Sequence, residues 1–290
     1  MASCYPAVMK CNYHTHTDYC DGKASAAVMA DQAAALGYKI LGFSSHAPLP
    51  FPTEWNLQFD RVQDYLAEIA GLAAQWEGRM EILCGMEIDY IRSIWGPQDP
   101  YFRSFPLDYR LGAVHYIYHP ELPPGRFVAV DMHPDEVRSY IKDWYDNDAT
   151  KLVQAYYQAM GECIDQGGFD ILAHLDLIKS NNARRPLFDE ESDWYKDAVM
   201  AVVEKLGHKD LIVEINTGGL ARSKAVAVYP SGWILKELRQ RAVPVCISAD
   251  AHGPGHYDPW YQAGIEAARQ AGYRELCQLN RQGRFTVALE

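Results

Sequence analysis

Two pairs, His14-Thr-His16 and Asp250-Ala-His252, and a lone His46 between them bring imidazoles and a carboxylate into short strand-like stretches. In extended chain, residues i and i+2 face the same side, so each pair can offer two donors to one centre. Imidazole mixed with carboxylate suits borderline or hard divalent cations. No cysteine pair stands at zinc-finger spacing. The chemistry implied is hydrolysis at an open metal centre, in which a cation activates water.

Such donors need a scaffold. Short apolar runs at residues 10–15, 38–44, 80–86, 109–114, 169–173, 210–216 and 243–249 alternate with helical stretches, for example 24–36 and 59–76. Repeated β-α units of this kind predict an α/β fold around a parallel sheet. Gly37, Gly78, Gly168 and Gly207 fall where helices should stop, as residues tolerant of left-handed backbone do. Residues 116–132, with Pro120, Pro123, Pro124 and Gly125, show no period and read as a long loop at a binding mouth.

On this scaffold the donors fall systematically at strand ends, where β/α barrels carry their active sites. Strand one ends in His14 and His16, strand two leads to His46, strand three to Glu87, strand four to His115, strand five to His174, and strand seven to Asp250 and His252. Any one histidine is more often an ordinary buried or surface residue than a ligand, but six of seven strand ends is hard to produce by accident. Asp21, followed by Gly22, reads equally well as a turn or capping residue. His119, His133, His208 and His256 end no strand and are assigned no role.

Composition bounds the rest. The 290 residues, 48% hydrophobic and without a low-complexity linker, fit one domain over residues 1–290. A formal net charge of -11 disfavours nucleic acid as a partner, while a small phosphorylated substrate remains compatible with it. Seven cysteines without a CxxC pair fit a reducing cytoplasm, and neither an export signal nor a run of membrane-spanning length is evident. Oligomeric state leaves no sequence signal.

The stretches HTHTDYCDGK, FSSHAPLPF, GMEIDY, LGAVHYI, ILAHLDLI, EINTGGL and ISADAH resemble the successive motifs of the PHP (polymerase and histidinol phosphatase) superfamily. HAPLP and LGAVHYI more specifically resemble its histidinol-phosphate phosphatase branch. The resemblance implies a distorted (β/α)7 TIM-like barrel with three divalent ions (Zn, Mn or Fe) at the strand C-termini. It assigns His14, His16, Glu87 and Asp250 to the first ion, Glu87, His115 and His174 to the second, and Asp21, His46 and His252 to the third. It implies a phosphomonoesterase acting on L-histidinol phosphate, in which a water held between two ions attacks phosphorus and Glu87, Asp250 and His252 serve the chemistry. Another small phosphate ester or a nucleotide is the alternative substrate.

Phosphate calls for cationic donors, for which Arg184, Arg185, Arg222 and Lys224 follow the fifth and sixth strands, with Ser248 and Asn216 as weaker candidates. An amino group and imidazole on the leaving group would seek carboxylates and aromatic faces, such as Glu54, Trp55, Asp89, Tyr116 and Asp176.

Overall fold

The structure is a computed structural model that describes residues 8–119, 121, 127–182, 185–258 and 260–289. In chain order its strands are β1 (Cys11–Asn12), β2 (Ile40–Phe43), β3 (Glu81–Asp89), β4 (Tyr109–Ala113), β5 (Tyr116–Ile117), β6 (Val128–Ala129), β7 (Ile171–Leu172), β8 (Ile212–Asn216), β9 (Val245–Ser248), β10 (Glu275–Asn280) and β11 (Gly283–Ala288). Seven of them form one sheet in the order β1-β2-β3-β4-β7-β8-β9, every pair parallel. They coincide with the seven apolar runs. Their fully buried residues explain the absence of polar alternation in those runs.

The sheet edges β1 and β9 meet just beyond their ends. His16 N–H donates to Ala251 O at 2.9 Å and Ala251 N–H to His14 O at 3.0 Å, a parallel bridge centred on Thr15 and Ala251. The result is a nearly closed, distorted seven-stranded α/β barrel of the TIM type, joined at the rim where the strands end.

Helices cover the outside: α1 (Ala26–Ala35), α2 (Val62–Gln75), α3 (Pro100–Arg103), α4 (Pro134–Trp144), α5 (Ala149–Gln166), α6 (Asp193–Leu206), α7 (Gly218–Ala221), α8 (Gly232–Gln240) and α9 (Tyr261–Gln270). Gly37, Gly78 and Gly168 take positive φ, as expected of helix stops, but Gly207 does not. It caps α6 at φ -60° in ordinary helical backbone.

Two hairpins depart from the expected rhythm. β10 and β11 pair antiparallel and plug the barrel floor, where Cys277 and Leu279 pack with Tyr13, Leu111, Ile171 and Ile212. The Tyr13 hydroxyl accepts from Leu279 N–H at 2.7 Å and donates to Leu279 O at 2.9 Å. β5 and β6 pair Tyr116 with Ala129 and Ile117 with Val128, so the expected loop over 116–132 is a hairpin at its base. Residues 120 and 122–126 lie outside the described residues. Among the described residues, no helix is long and apolar enough to cross a membrane.

Candidate metal centre

Glu87, near the end of β3 and fully buried, is the hub. Pairing between the second and third strands continues past β2: Glu87 N–H donates to Ser45 O at 3.2 Å and Ala47 N–H to Glu87 O at 2.8 Å. That register sets His46 opposite Glu87, with Nδ1 2.9 Å from Oε2. His14 Nε2 stands 3.2 Å from the same oxygen and His16 Nε2 3.7 Å. On the other side, His174 Nε2 lies 2.9 Å and His115 Nε2 3.6 Å from Oε1. One carboxylate thus faces five imidazoles from four strand ends.

Asp250 and Asp21 extend the cluster. Asp250 Oδ1 is 3.3 Å from His16 Nε2 and 3.7 Å from His14 Nε2. Asp21 Oδ2 is 3.1 Å from His252 Nε2, and its Oδ1 is 3.7 Å from His16 Nδ1 and 3.8 Å from His46 Nε2. All nine expected donors are therefore in one cluster. They fall into overlapping groups whose ligand atoms lie within 4.8 Å of one another: His16, Asp21, His46 and His252; His14, His16 and Asp250; His14, Glu87 and His174; His46, Glu87 and His115.

A second layer of carboxylates orients the rings. Glu214, mid-β8 and fully buried, accepts from His14 Nδ1–H at 2.8 Å, while its other oxygen accepts from His174 N–H at 3.0 Å and from Asn216 Nδ2 at 2.8 Å. Asp89 accepts from His115 Nδ1–H at 2.9 Å. An ionised carboxylate only accepts, so the proton sits on Nδ1 of both rings. Each Nε2 then faces Glu87, and once that nitrogen gives up its proton its lone pair is the one a metal ligand presents.

Backbone shape matters at Asp250, which adopts a left-handed φ of 46°. A Cβ on Gly218, at the start of α7, would stand 2.7 Å from Asp250 Cβ. Only glycine lets the two segments approach so closely.

Burial opposes charge on every group here, yet the groups polarise one another. Against burial, Glu214, Glu87 and Asp250 hold His14 well above its ordinary value. Against burial, Glu87 and Asp21 push His46 up to about 10, and Asp89 and Glu87 push His115 up to about 9. His16 is held well below by burial and by neighbouring His252 and His46. Glu87, also despite burial, is held low by His14, His46 and His115, and Asp250 by Arg222 and His14.

Charge is therefore balanced between acids and protonated rings, and a divalent cation would compete with those protons for the same lone pairs. His14 Nε2, His16 Nε2, Glu87 Oε2 and Asp21 Oδ1 are buried without hydrogen-bond partners. Buried polar atoms are seldom left so. The donor set fits divalent metal.

The cluster floors a cleft of about 480 Å3 that Arg222, Lys224, Trp55 and Tyr116 also line. Arg222 donates to Asp250 Oδ2 at 2.7 Å and to Asp250 O at 2.6 Å. Arg185 is a correction: the chain leaves β7 through a 3-10 turn at Leu177–Asn182 that carries Arg185 outward. Its side chain is 71% exposed, 3.7 Å from Asp135, and lines a separate groove with Arg138. Arg184 lies outside the described residues.

The weaker candidates divide too. Glu54 is exposed, Asp89 is engaged with His115, and Asp176 pairs with Lys179 at 2.8 Å. Ser248 and Asn216 are fully buried, Asn216 donating to Glu214 and to Asp250. Glu214, Asp131 and His256 were missed: the first orients His14, and the other two line the cleft. A glutamate inside the apolar run Ile212-Val213-Glu214-Ile215 was the available signal, since a buried carboxylate needs a partner.

The sequence model of the PHP domain matches residues 12–218. The chain belongs to the PHP domain family. Among curated members, a Deinococcus radiodurans protein named "Probable histidinol-phosphatase" is 26% identical over 272 residues, 92% of this chain and 95% of that one. The histidinol-phosphatase of Bacillus subtilis is 23% identical over 268 residues, 87% and 97% of the two chains. The solved histidinol phosphate phosphatase of Lactococcus lactis, complexed with zinc, L-histidinol and phosphate, has the same fold, with a TM-score of 0.68 at 16% identity over 96% of this chain and 100% of that one.

Proposed function

We propose that the protein is a metal-dependent phosphomonoesterase that hydrolyses L-histidinol phosphate to L-histidinol and phosphate. The observation that carries the hydrolytic part is the set of buried, unpartnered nitrogen and oxygen donors converging on Glu87. The substrate is supported by the names of the two curated relatives and by the ligands of the Lactococcus lactis structure.

In this proposal His14, His16, Glu87 and Asp250 hold one divalent ion, Glu87, His115 and His174 a second, and Asp21, His46 and His252 a third, each Zn, Mn or Fe. Bound there, such ions supply Lewis acidity to the phosphoryl oxygens and lower the pKa of water. The protein's own groups do the rest. Glu214 and Asp89 keep two imidazoles in the ligating tautomer. His252 Nδ1 accepts from Arg222 at 2.8 Å, since a guanidinium only donates, and this holds the ring with Nε2 3.1 Å from Asp21 Oδ2.

Arg222 carries charge into the cleft and fixes Asp250, and Lys224 adds a second cation at the same mouth. Both complement a phosphate dianion. Among the catalytic groups proposed, Glu87 and Asp250 hold the charge that draws in the ions, and His252 stands at the open side, its side chain 14% exposed.

Phosphate release from L-histidinol phosphate against a panel of nucleotides and sugar phosphates, paired with elemental analysis, tests this. Rapid release from L-histidinol phosphate alone, abolished by chelation, is expected. Faster turnover of a nucleotide, or activity in the metal-stripped protein, would overturn it.

A further inference from the structure

One wall of the cleft is built differently from its floor. It rises from the β5–β6 hairpin, whose first residue Tyr116 directly follows His115, and it is completed by Trp55, Asp131 and Met132. This wall is held in place. Val130 N–H donates to His115 O at 2.8 Å, and Val130 O accepts from Asn181 Nδ2, so Asp131 follows a residue anchored on both sides. Phe51 packs edge-on against Tyr116 at 5.4 Å, and the Trp55 and Tyr116 rings run parallel within 5° with centroids 6.4 Å apart.

Two polar groups on this wall have no protein partner. The Tyr116 hydroxyl is buried without a hydrogen bond, in a residue only 4% exposed. Asp131 has no ion pair or hydrogen bond among the described residues, although its charge is felt by His115, Tyr116 and Arg222. Neighbouring carboxylates are all engaged: Asp89 with His115, Asp250 with Arg222, Asp21 with His252 and Asp176 with Lys179. A half-buried carboxylate left free beside an aromatic face is suited to a ligand that brings both a cation and a flat ring.

The geometry points to a leaving-group subsite in which Asp131 takes a substrate ammonium while Trp55 and Tyr116 receive a flat ring and the Tyr116 hydroxyl bonds a polar atom of it. Asp131 is thus a specificity-determining residue, selecting phosphate esters of amino alcohols. The inference rests on the phosphomonoesterase function proposed above and deepens it. The floor binds what all phosphate esters share, and the wall binds what distinguishes one alcohol from another.

The test compares wild type and Asp131→Asn on L-histidinol phosphate and on the same ester lacking the amine. Wild type should favour the amine-bearing ester. Asp131→Asn should raise its KM roughly ten- to a hundredfold, the scale of one charge-assisted hydrogen bond, with kcat within about threefold, and so erase the discrimination. Trp55→Ala should instead raise KM for both ring-bearing esters and leave the ratio between them intact. An unchanged KM for the amine-bearing ester in Asp131→Asn, or equal losses on both esters, overturns the subsite.

Should wild type fail to hydrolyse L-histidinol phosphate, the proposed substrate falls. The subsite is then judged on 2-aminoethyl phosphate against ethyl phosphate. A wild-type preference for the amine that Asp131→Asn removes supports it, and no preference refutes it.

Discussion

Glu214→Gln isolates what a buried orienting carboxylate does, because it conserves shape and changes one oxygen into a donor. In the native protein one Glu214 oxygen accepts from His14 Nδ1–H at 2.8 Å and the other accepts from two donors, His174 N–H at 3.0 Å and Asn216 Nδ2 at 2.8 Å. A glutamine amide must turn its NH2 toward one side or the other. Facing His14, it confronts the Nδ1 proton and pushes it to Nε2, the atom that points at Glu87 and Asp250. Facing His174 and Asn216, it meets two donors at once.

Either way a charge-assisted hydrogen bond is lost inside the barrel, worth about 1.5–3 kcal/mol. At about 1.4 kcal/mol per decade this predicts metal binding weaker by roughly ten- to a hundredfold. Dialysis against graded chelator buffers followed by elemental analysis measures that affinity, and phosphate release at limiting and at saturating metal shows whether activity tracks occupancy. Activity should fall at limiting metal and largely recover at saturation. If Glu214→Gln holds metal as tightly as wild type, within twofold, the carboxylate does not orient His14 in the way argued.

Three further outcomes are expected. Gly218→Ala drives a Cβ to 2.7 Å from Asp250 Cβ, so steady-state turnover should drop at least about tenfold with a stability loss of about 1–3 kcal/mol; wild-type kinetics would contradict the close approach. Tyr13→Phe strips both partners from the Leu279 backbone and should cost about 2 kcal/mol in urea unfolding while leaving kcat of the folded protein within twofold, since the floor lies opposite the cleft. His46, raised to about 10, and His115, raised to about 9, bind protons more tightly folded than unfolded. Their contribution to the chelated protein is full below about pH 6.5 and is lost as pH rises through 9 to 10. The melting temperature of chelated protein should fall across that window and that of metal-loaded protein should not, with equal slopes counting against the assignment.

How much of this was legible depended on what kind of signal each residue left. Strand ends were readable because a barrel strand buried on both faces is an unbroken apolar run, and the first polar residue after it marks the rim. His115 and His174 were found that way. Glu214 left a quieter signal: it sits inside a run, and its partner His14 is 200 residues away. Arg185 was misplaced because proximity in sequence to a strand end says nothing of the turn that follows. The C-terminal hairpin escaped because β11 alternates exposed and half-buried residues, unlike the barrel strands. Asp131 lacked any motif, and only the cleft revealed it.

The bridge between Thr15 and Ala251 sets an order of events. His14 and His16 are made well before Asp250 and His252, and the two pairs are neighbours only once the seam between β1 and β9 has formed. A nascent or truncated chain that stops at Gly218, where the family match ends, would carry His14, His16, Glu87, His115 and His174 but have no seam. The final barrel strand is thus a timing device: it delays a complete donor set until β9 has joined β1, and a cation held across the seam would act as the latch on the finished barrel.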